Sequence, residues 1–336
     1  MTHGEPFVRL RVGKDFIPQD CDWMAKDGFS ELFALPTPNT GGEEQTLEGG
    51  FSWSTRQEGG FTEHAFQVLK ETVLNLSTLL RFHIQQNQSK MLLSLYLGED
   101  AGSRVFRGDI ARGDGLVIRS VIWFSDIRNF TAMSGRLSRL ELIDLINTTM
   151  ELTAETVKEY GGQTLKFMGD GLMAIFSSAS TSFQRDSLWS VDQQSIDDDQ
   201  ANGPMVCRQA RQAAAALQRR LAELAKAREA ENKEPASVGI GLHYGDVSYG
   251  NIGAPERLDF TVLGPEVNLA SRTESLTSKL GCKVLCTKSF HNLDCPDAWH
   301  SKGEHQVKGV SELVSVFELV NWEERSSIEE QDDENM

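Results

Sequence analysis

The sequence predicts an α+β fold with a ferredoxin-like core, and three observations support this prediction. Between Leu116 and Ile252 the apolar patterns alternate in the order strand, helix, strand, strand, helix, strand, which is the order of the split βαβ motif. The chain has 336 residues, enough for roughly two domains of about 100–200 residues each. Its composition, 39% hydrophobic and 24% charged, is that of a globular protein with a sizeable core.

The first 60 residues predict a small β-rich segment. Residues 7–12 alternate apolar and polar side chains, as a half-buried strand does, and residues 51–55 predict a second short strand. The stretch over residues 52–61, which leads into a helix, resembles the last strand and closing helix of GAF-like sensor domains. We therefore interpret residues 1–60 as a partial sensor-like segment, with a non-functional extension as the alternative.

Residues 61–115 predict a helical connector. Its apolar positions are spaced three and four residues apart, as in the heptad seam of a coiled coil: Phe66, Leu69, Val73, Leu76 and Leu80. This spacing favours a parallel two-helix stalk, and the alternative is an amphipathic helix packed on its own domain. Residues 98–115 are polar, and we expect a linker there.

The first half of the core follows from three local signals. Residues 117–124 are almost all apolar, as in a strand that is buried on both faces. Ser138 and Glu141 form a capping box at the start of a helix that two glycines at 161 and 162 end. Two strands, at residues 163–168 and 172–176, are joined by a tight turn.

The second half repeats the pattern with different elements. An alanine-rich helix is predicted over residues 205–230, followed by a pair of strands at 238–243 and 247–252. A further strand is predicted at 259–263. Pro265 then begins a helix that runs through Leu276, because proline is favoured in the first turn of a helix.

Two polar stretches and the overall charge limit the partners of the chain. Residues 177–203 predict a surface insertion, and residues 321–336 an acidic disordered tail. The net charge of −16 argues against binding to nucleic acid or anionic lipid. No run approaches the roughly 18 apolar residues that span a bilayer, and five scattered cysteines favour a reducing compartment. We expect a soluble protein of the cytoplasm.

Two carboxylates stand where apolar strands end. Asp126 follows the apolar run at 117–124, and Asp170 occupies the turn between the two strands of the hairpin. In this topology the first strand neighbours the hairpin, so we expect the two side chains to share one site. Paired carboxylates raise each other's pKa unless a cation lies between them. Mg²⁺ suits such a site, since it takes a few carboxylates and completes its shell with phosphate and water.

Three ordered motifs carry a resemblance to a known family. They are FSDIRNFT at residues 124–131, LKFMGDG at 165–171 and FTVLGPEVNLASR at 260–272. Together they resemble the signature blocks of class III nucleotidyl cyclases, over about residues 116–320. The resemblance implies a catalytic core of the class III cyclase type and a head-to-tail dimer with active sites at the interface.

The resemblance also assigns roles to individual residues. It implies that Asp126 and Asp170 of one protomer hold two ions of Mg²⁺ or Mn²⁺, helped by the backbone carbonyl of Ile127. The partner in a homodimer would supply four side chains: Lys166, Thr261, Asn268 and Arg272. Each homodimer would then contain two equivalent sites.

Two of these residues indicate the base. The Lys166 ammonium can donate to adenine N1, which is an acceptor, and is unsuited to the N1–H of guanine. Thr261 stands where most adenylate-specific relatives carry Asp, and its hydroxyl can accept from the adenine 6-amino group. The pair favours ATP, with a guanylate cyclase as the first alternative. Cyclases with Thr at this position resemble a subgroup stimulated by bicarbonate, which we expect here too.

The triphosphate is expected to meet three further groups. The turn after Asp126 offers the backbone N–H groups of Phe130 and Thr131 at a helix start, although Asn129 replaces the glycine usual in the family. Arg272, four residues after Asn268 on one helix face, can follow charge growing on the α-phosphate. Lys308 resembles a late lysine that contacts the β- or γ-phosphate in relatives.

The predicted reaction is attack of the ATP 3′-OH on the α-phosphorus, which yields 3′,5′-cyclic AMP and pyrophosphate. Metal activation of the hydroxyl is expected, because no side chain is placed as an obvious general base. The second alternative is a catalytically silent dimerising or nucleotide-sensing module. It predicts loss of at least one of the six side chains named above, and all six are retained.

Overall fold

The structure, a computed structural model, describes residues 8–15, 21–36, 50–108, 115–177, 202–254 and 256–320. The chain divides into two compact units, residues 1–91 and 92–336. Apart from its ends, the insertion predicted at 177–203 lies outside the described residues, as does the predicted tail. Among the helices described, none has the length and apolarity to cross a bilayer.

The first unit contains a three-stranded antiparallel sheet, in the order β1 (Val8–Arg11), β2 (Glu31–Pro36), β3 (Gly50–Thr55). A short helix, α1 (Trp23–Lys26), connects β1 to β2. The sequence patterns predicted β1 and β3 and missed β2. Glu31, the first residue of β2, is fully buried. The cost of burying its carboxylate is offset by hydrogen bonds from Arg9, Arg11 and the backbone N–H of Phe61.

A long helix, α2 (Glu63–Leu97), leaves this sheet. The first residues of the predicted seam are buried, with Phe66 packed on Phe33 at a ring-centroid distance of 4.4 Å. Farther along the seam, Leu76 and Leu80 are 36% and 44% exposed. The early seam therefore packs on its own sheet, whereas the later seam leaves apolar side chains uncovered in the described chain.

The linker predicted at 98–115 contains a helix, so that prediction was wrong. Helix α3 (Glu99–Arg107) begins after Gly98 and ends at Gly108, which has the left-handed conformation typical of a C-cap. Acidic residues in its first turn and basic residues in its last turn complement the helix dipole. The linker was predicted because the segment is rich in charged residues. One of them, Arg104, is nevertheless buried in the folded chain.

The second unit is built on a ferredoxin-like sheet, and the predicted fold class is confirmed. Its four central strands are antiparallel in the order β7-β4-β6-β5. They are β4 (Gly115–Ile127), β5 (Gln163–Met168), β6 (Gly171–Phe176) and β7 (Val238–Ala254). After β4 comes the short helix α4 (Phe130–Ser134), and the crossover helices are α5 (Arg139–Glu159) and α6 (Gly203–Ala230).

Helices α5 and α6 cover one face of this sheet. The predicted capping box begins α5, where the Ser138 hydroxyl accepts from the Glu141 N–H at 3.4 Å and the Glu141 carboxylate accepts from the Ser138 N–H at 2.9 Å. The alanines of α6 are buried against the large side chains of Trp123 and Phe176. Small residues on α6 thus let the helix lie close to a sheet with bulky aromatic side chains.

The strand pair predicted at 238–243 and 247–252 is a single strand, β7, which corrects the prediction. The two predicted strands were separated at residues 244–246, but a Cβ at Gly245 would lie 2.9 Å from the Glu266 side chain. The glycine therefore permits close packing and does not reverse the chain. The true reversal follows Ala254 and leads into β8 (Arg257–Leu263), which pairs with the second half of β7.

Helix α7 (Pro265–Leu280) lies directly on β7 at two glycines. An added Cβ at Gly241 would lie 2.3 Å from the backbone N of Glu274, and one at Gly239 would meet the Arg128 guanidinium and the Thr277 hydroxyl. The absence of side chains at these positions brings α7 close to the sheet. The sheet continues through β9 (Val284–Thr287), helix α8 (Lys288–His291), β10 (Trp299–His305) and β11 (Val314–Leu319).

The β7–β8 hairpin packs over the second face of the sheet. Phe260 and Val262 of β8 join an apolar cluster that includes Leu165 of β5. Arg104 of α3 lies 5.3 Å from the Phe260 ring centroid. The Tyr249 hydroxyl donates to Asp100 of α3 at 2.7 Å. Helix α3 therefore braces the hairpin that contains Thr261.

We predict that Gly241→Ala destabilises the second unit. The new methyl group would overlap the backbone of α7, which cannot rotate away, and overpacking of this kind costs about 1–3 kcal/mol or more. The measurement is the urea midpoint of the full chain by circular dichroism. Gly135→Ala is the matched control, since its added Cβ would meet no atom nearer than 3.8 Å. Equal midpoints for the two variants would contradict the predicted packing.

Candidate active site

The two predicted carboxylates lie side by side at the end of β4. Asp126 pairs with Gly171 across the β4–β6 ladder, and the Ile127 N–H donates to the backbone carbonyl of Asp170 at 3.1 Å. A Cβ at Gly171 would stand 3.1 Å from Asp126 Oδ1. The glycine after Asp170 therefore keeps open the space beside the Asp126 carboxylate.

The electrostatics of this pair favour a bound cation. Burial, together with the charge and hydrogen bond of Asp170, raises the pKa of Asp126 to about 6 against the opposing charge of Arg128. A cation between the carboxylates would remove this repulsion. In the described part of the chain, no three His, Cys, Asp or Glu side chains are arranged to hold a metal ion. Two carboxylates fit Mg²⁺ or Mn²⁺ only with further oxygens from nucleotide and water.

Sequence reasoning missed a third acid and its counter-ion. Glu274 of α7 faces the same site, where burial and the charge of Asp126 together raise its pKa to about 7. Arg128 lies between them, and its guanidinium donates to the Thr277 hydroxyl and to the Cys282 carbonyl at 3.0 Å. The one signal in the sequence that could have identified this acid was the position of Glu274 close to the buried face of α7.

Lys166 and Thr261, the predicted base-recognition residues, belong to β5 and β8. The Lys166 ammonium donates to Asp259 Oδ2 at 3.2 Å, across 93 positions of sequence. Thr261 is only 4% exposed, and within the described residues its hydroxyl has no hydrogen-bond partner. A buried hydroxyl without a partner is costly, so a ligand group that bonds to it would gain affinity.

Asn268 and Arg272 lie one turn apart on the exposed face of α7. Pro265 is in the first turn, and the N-cap Gly264 has a φ of 143°, a conformation that favours glycine. The connection from β8 to α7 is therefore a single residue, and α7 packs on β7 directly after it. Both side chains are therefore directed away from the sheet and are free to meet a molecule outside the fold.

The turn after β4 explains the unusual residue in the first motif. Asn129 has a φ of 58° and lies in the left-handed region, where glycine is unstrained and Asn is the best tolerated of the other residues. Phe130 is half-buried and Thr131 exposed at the start of the five-residue helix α4. Lys308 is exposed in the connection between β10 and β11.

The structure brings together only part of the predicted set within one chain. Asp126 pairs with Gly239 of β7, whereas Thr261 pairs with Gly250 of the same strand. These positions are eleven residues apart, a contour length of about 36 Å at about 3.3 Å per residue. Along β7 the positions that pair with Asp126 and with Thr261 are therefore far apart, although β8 folds back over the sheet far enough for Asp259 to contact Lys166 of β5.

Comparisons with known proteins agree with this fold and these motifs. The chain is 32% identical over 209 residues to "Adenylate cyclase" from Anabaena cylindrica, covering 60% of this chain and 36% of that protein. It is 27% identical to "Adenylate cyclase 1" from Rhizobium meliloti, covering 59% of this chain and 27% of that one. The chain thus spans about a third of the length of these relatives.

The crystal structure of the adenylyl cyclase CyaB from P. aeruginosa matches with a TM-score of 0.51 at 27% identity, covering 62% of this chain and 96% of that one. A sequence model described as "Adenylate and Guanylate cyclase catalytic domain" matches residues 119–319, which include both carboxylates, the predicted base-recognition residues and α7. The chain belongs to the adenylate and guanylate cyclase catalytic domain family.

Proposed function

We propose that this protein is an adenylate cyclase, which converts ATP to 3′,5′-cyclic AMP and pyrophosphate. The observation that carries the proposal is the placement of Asp126 beside Asp170 at the end of β4, with a pKa that calls for a cation. Membership of the cyclase family and the likeness to named adenylate cyclases support it. In the reaction the 3′-oxygen loses its proton to water or to a substrate oxygen and bonds to the α-phosphorus, and the bond from the α-phosphorus to the pyrophosphate oxygen breaks.

Asp126 and Asp170 are the proposed ligands of two divalent cations, with the backbone carbonyl of Ile127 as a further ligand. When bound, such ions lower the pKa of the 3′-OH and neutralise the triphosphate. Asp126 and Asp170 fix the position of this positive charge. Arg128 supports the Asp126 carboxylate, because its charge lowers the pKa of Asp126 and its guanidinium is itself held by Thr277 and Cys282.

Base, ribose and phosphates are assigned to exposed or half-buried groups and to the buried hydroxyl of Thr261. Lys166 is proposed to donate to adenine N1 and Thr261 to accept from the 6-amino group, which the unpartnered state of its hydroxyl supports. Asn268 orients the ribose, and Arg272 stabilises charge that develops on the α-phosphate. The backbone of Phe130 and Thr131 and the exposed Lys308 are the proposed contacts of the terminal phosphates.

We further propose that the site forms between two copies of the chain. The carboxylates and the β8 residues are separated by eleven positions of β7 in one chain. A head-to-tail arrangement with two-fold symmetry places the carboxylate end of one protomer against the β8 end of the other. Each homodimer then contains two sites, and each site uses residues of both chains.

The proposed domain organisation follows the sequence. Residues 1–60 are a sensor-like segment, 61–115 a connector, 116–320 the catalytic domain and 321–336 a tail. The second half of α2 carries exposed apolar side chains that support pairing with the same helix of a second chain: Leu76, Leu80, Met91, Leu92 and Leu95. Stimulation by bicarbonate stays an expectation.

A guanylate cyclase is the second candidate, and one observation favours it. The Asp259 carboxylate beside Lys166 is an acceptor and would suit the N1–H and 2-amino groups of guanine if Lys166 turned away. The test is incubation of the purified full chain with ATP or GTP and either Mg²⁺ or Mn²⁺, with chromatographic detection of the cyclic product. Cyclic AMP formed in excess from ATP supports the proposal, and a preference for GTP overturns the choice of base.

Asp126→Asn and Asp170→Asn are each predicted to lower kcat by at least about 100-fold. Metal stabilisation of a transition state is worth several kcal/mol, and each about 1.4 kcal/mol is a factor of ten. Initial rates of cyclic AMP formation are the measurement. Glu223→Gln, an exposed change on α6, is the control and keeps its rate. Either Asp variant with near-normal kcat would refute the metal assignment.

The pKa of Asp126 also predicts how stability depends on pH without metal. Because the folded chain raises this pKa from 3.8 to about 6, the cost of burying the Asp126 charge and its repulsion by Asp170 are relieved as the pH falls through 6 and grow as it rises. Asp126→Asn should therefore unfold at a temperature about 2–4 °C higher than the unmodified chain at pH 8, after discount for solvent screening. At pH 4 the two should agree.

The measurement is thermal unfolding of both proteins in EDTA and in Mn²⁺ across this pH range. Mn²⁺ is expected to stabilise the unmodified chain at pH 8 much more than at pH 5, and to stabilise Asp126→Asn little. A difference between the two proteins that does not change with pH would contradict the proposed electrostatics.

A further inference from the structure

The face of β8 that includes Thr261 also includes Asp259, which has no role in the proposed adenylate cyclase reaction so far. Side chains alternate along a strand, so Asp259 and Thr261 share one face. Phe260 and Val262 take the other face and pack into the apolar cluster on the sheet. The packing of the aromatic and aliphatic pair therefore fixes where Asp259 is directed.

Asp259 reaches Lys166 from this position. Its Oδ2 accepts from the Lys166 ammonium at 3.2 Å, and the side chains of Asp259 and Lys166 are 63% and 35% exposed. An ion pair this open to water contributes only about 0–1 kcal/mol to folding. Its main consequence is local, since it limits the rotamers of a long side chain that would otherwise be free.

We propose that Asp259 is a positioning residue, which holds the Lys166 ammonium where it meets the adenine ring. This inference rests on the proposed function. Thr261 has a neutral side chain where the resemblance implies a carboxylate in most adenylate-specific relatives. In those relatives that carboxylate places a negative charge near the lysine. Here Asp259, two residues before Thr261 on the same face of β8, supplies that charge. The buried, unpartnered Thr261 hydroxyl marks where the 6-amino group binds beside it.

As long as the ion pair is formed, it disfavours guanine. An ammonium has three donors, so Lys166 can bond to Asp259 and still donate to N1 of adenine. While Lys166 donates to Asp259, the Asp259 carboxylate does not accept hydrogen bonds from the N1–H and 2-amino groups of guanine. Asp259 therefore acts on selectivity through Lys166, without contact with the base.

The test is Asp259→Asn, which keeps the size of the side chain and removes its charge. We expect KM for ATP to rise roughly tenfold, as for the loss of a charged hydrogen bond, while kcat changes less. The ratio of kcat/KM for ATP to that for GTP should also fall. Asp259→Glu, which restores the charge, should recover most of the ratio, and a purely structural role would not produce this recovery.

Asp246→Asn is the matched control. It removes an aspartate from another exposed pair of the same sheet, in which Arg119 contacts Asp246 at 2.5 Å. It should leave both KM and the nucleotide ratio unchanged. Asp259→Asn with normal KM and normal selectivity, measured in an active chain, overturns the inference alone. An unmodified chain that cyclises neither nucleotide overturns the proposed function and the inference with it.

Discussion

Repulsion between the carboxylates of Asp126 and Asp170 is the constraint on which the account of this protein rests. The β4–β6 ladder fixes Asp126 opposite Gly171, and the hydrogen bond from Ile127 to the Asp170 carbonyl holds the turn beside it. The fold thus keeps two like charges together at a cost to stability. The proposed cation would remove this cost, and the rest of the proposed chemistry depends on its positive charge.

The packing around this pair connects the site to the core. Gly239 and Gly241 let α7 lie against β7, which brings Glu274 and Thr277 to the back of the site. Arg128 occupies the space above Gly239 and bonds to Thr277 and Cys282. The same helix has Asn268 and Arg272 on its outer face. One close helix–sheet contact therefore supports both the carboxylate pair and the residues assigned to the substrate.

Much of this arrangement follows from local sequence signals. Asp126 ends an apolar strand and Asp170 occupies a glycine-flanked turn, so strand order alone predicts that they meet. The Ser138 capping box likewise needs only four consecutive residues. These features could be predicted because the forces that produce them act between residues close in sequence, or between strands whose pairing the topology fixes.

Other features depend on contacts that no local pattern contains. Gly245 is a residue type typical of turns. Its role here is to leave space for the Glu266 side chain of the following helix α7. Lys166 meets Asp259 only because β8 folds over the sheet and packs Phe260 beside Leu165. Helix α3 has the composition of a linker and is recognised only once Arg104 and Asp100 contact the β7–β8 hairpin. In each case tertiary packing overrides the local pattern.

Complementation between two inactive variants shows whether two chains share each active site, as we propose. One chain carries Asp126→Asn with Asp170→Asn, and the other carries Asn268→Ala with Arg272→Ala. Each alone should be nearly inactive, whereas an equal mixture that has exchanged subunits should regain about a quarter of the unmodified rate, since half of the dimers contain one intact site of two. A mixture that forms mixed dimers and stays inactive would contradict the claim.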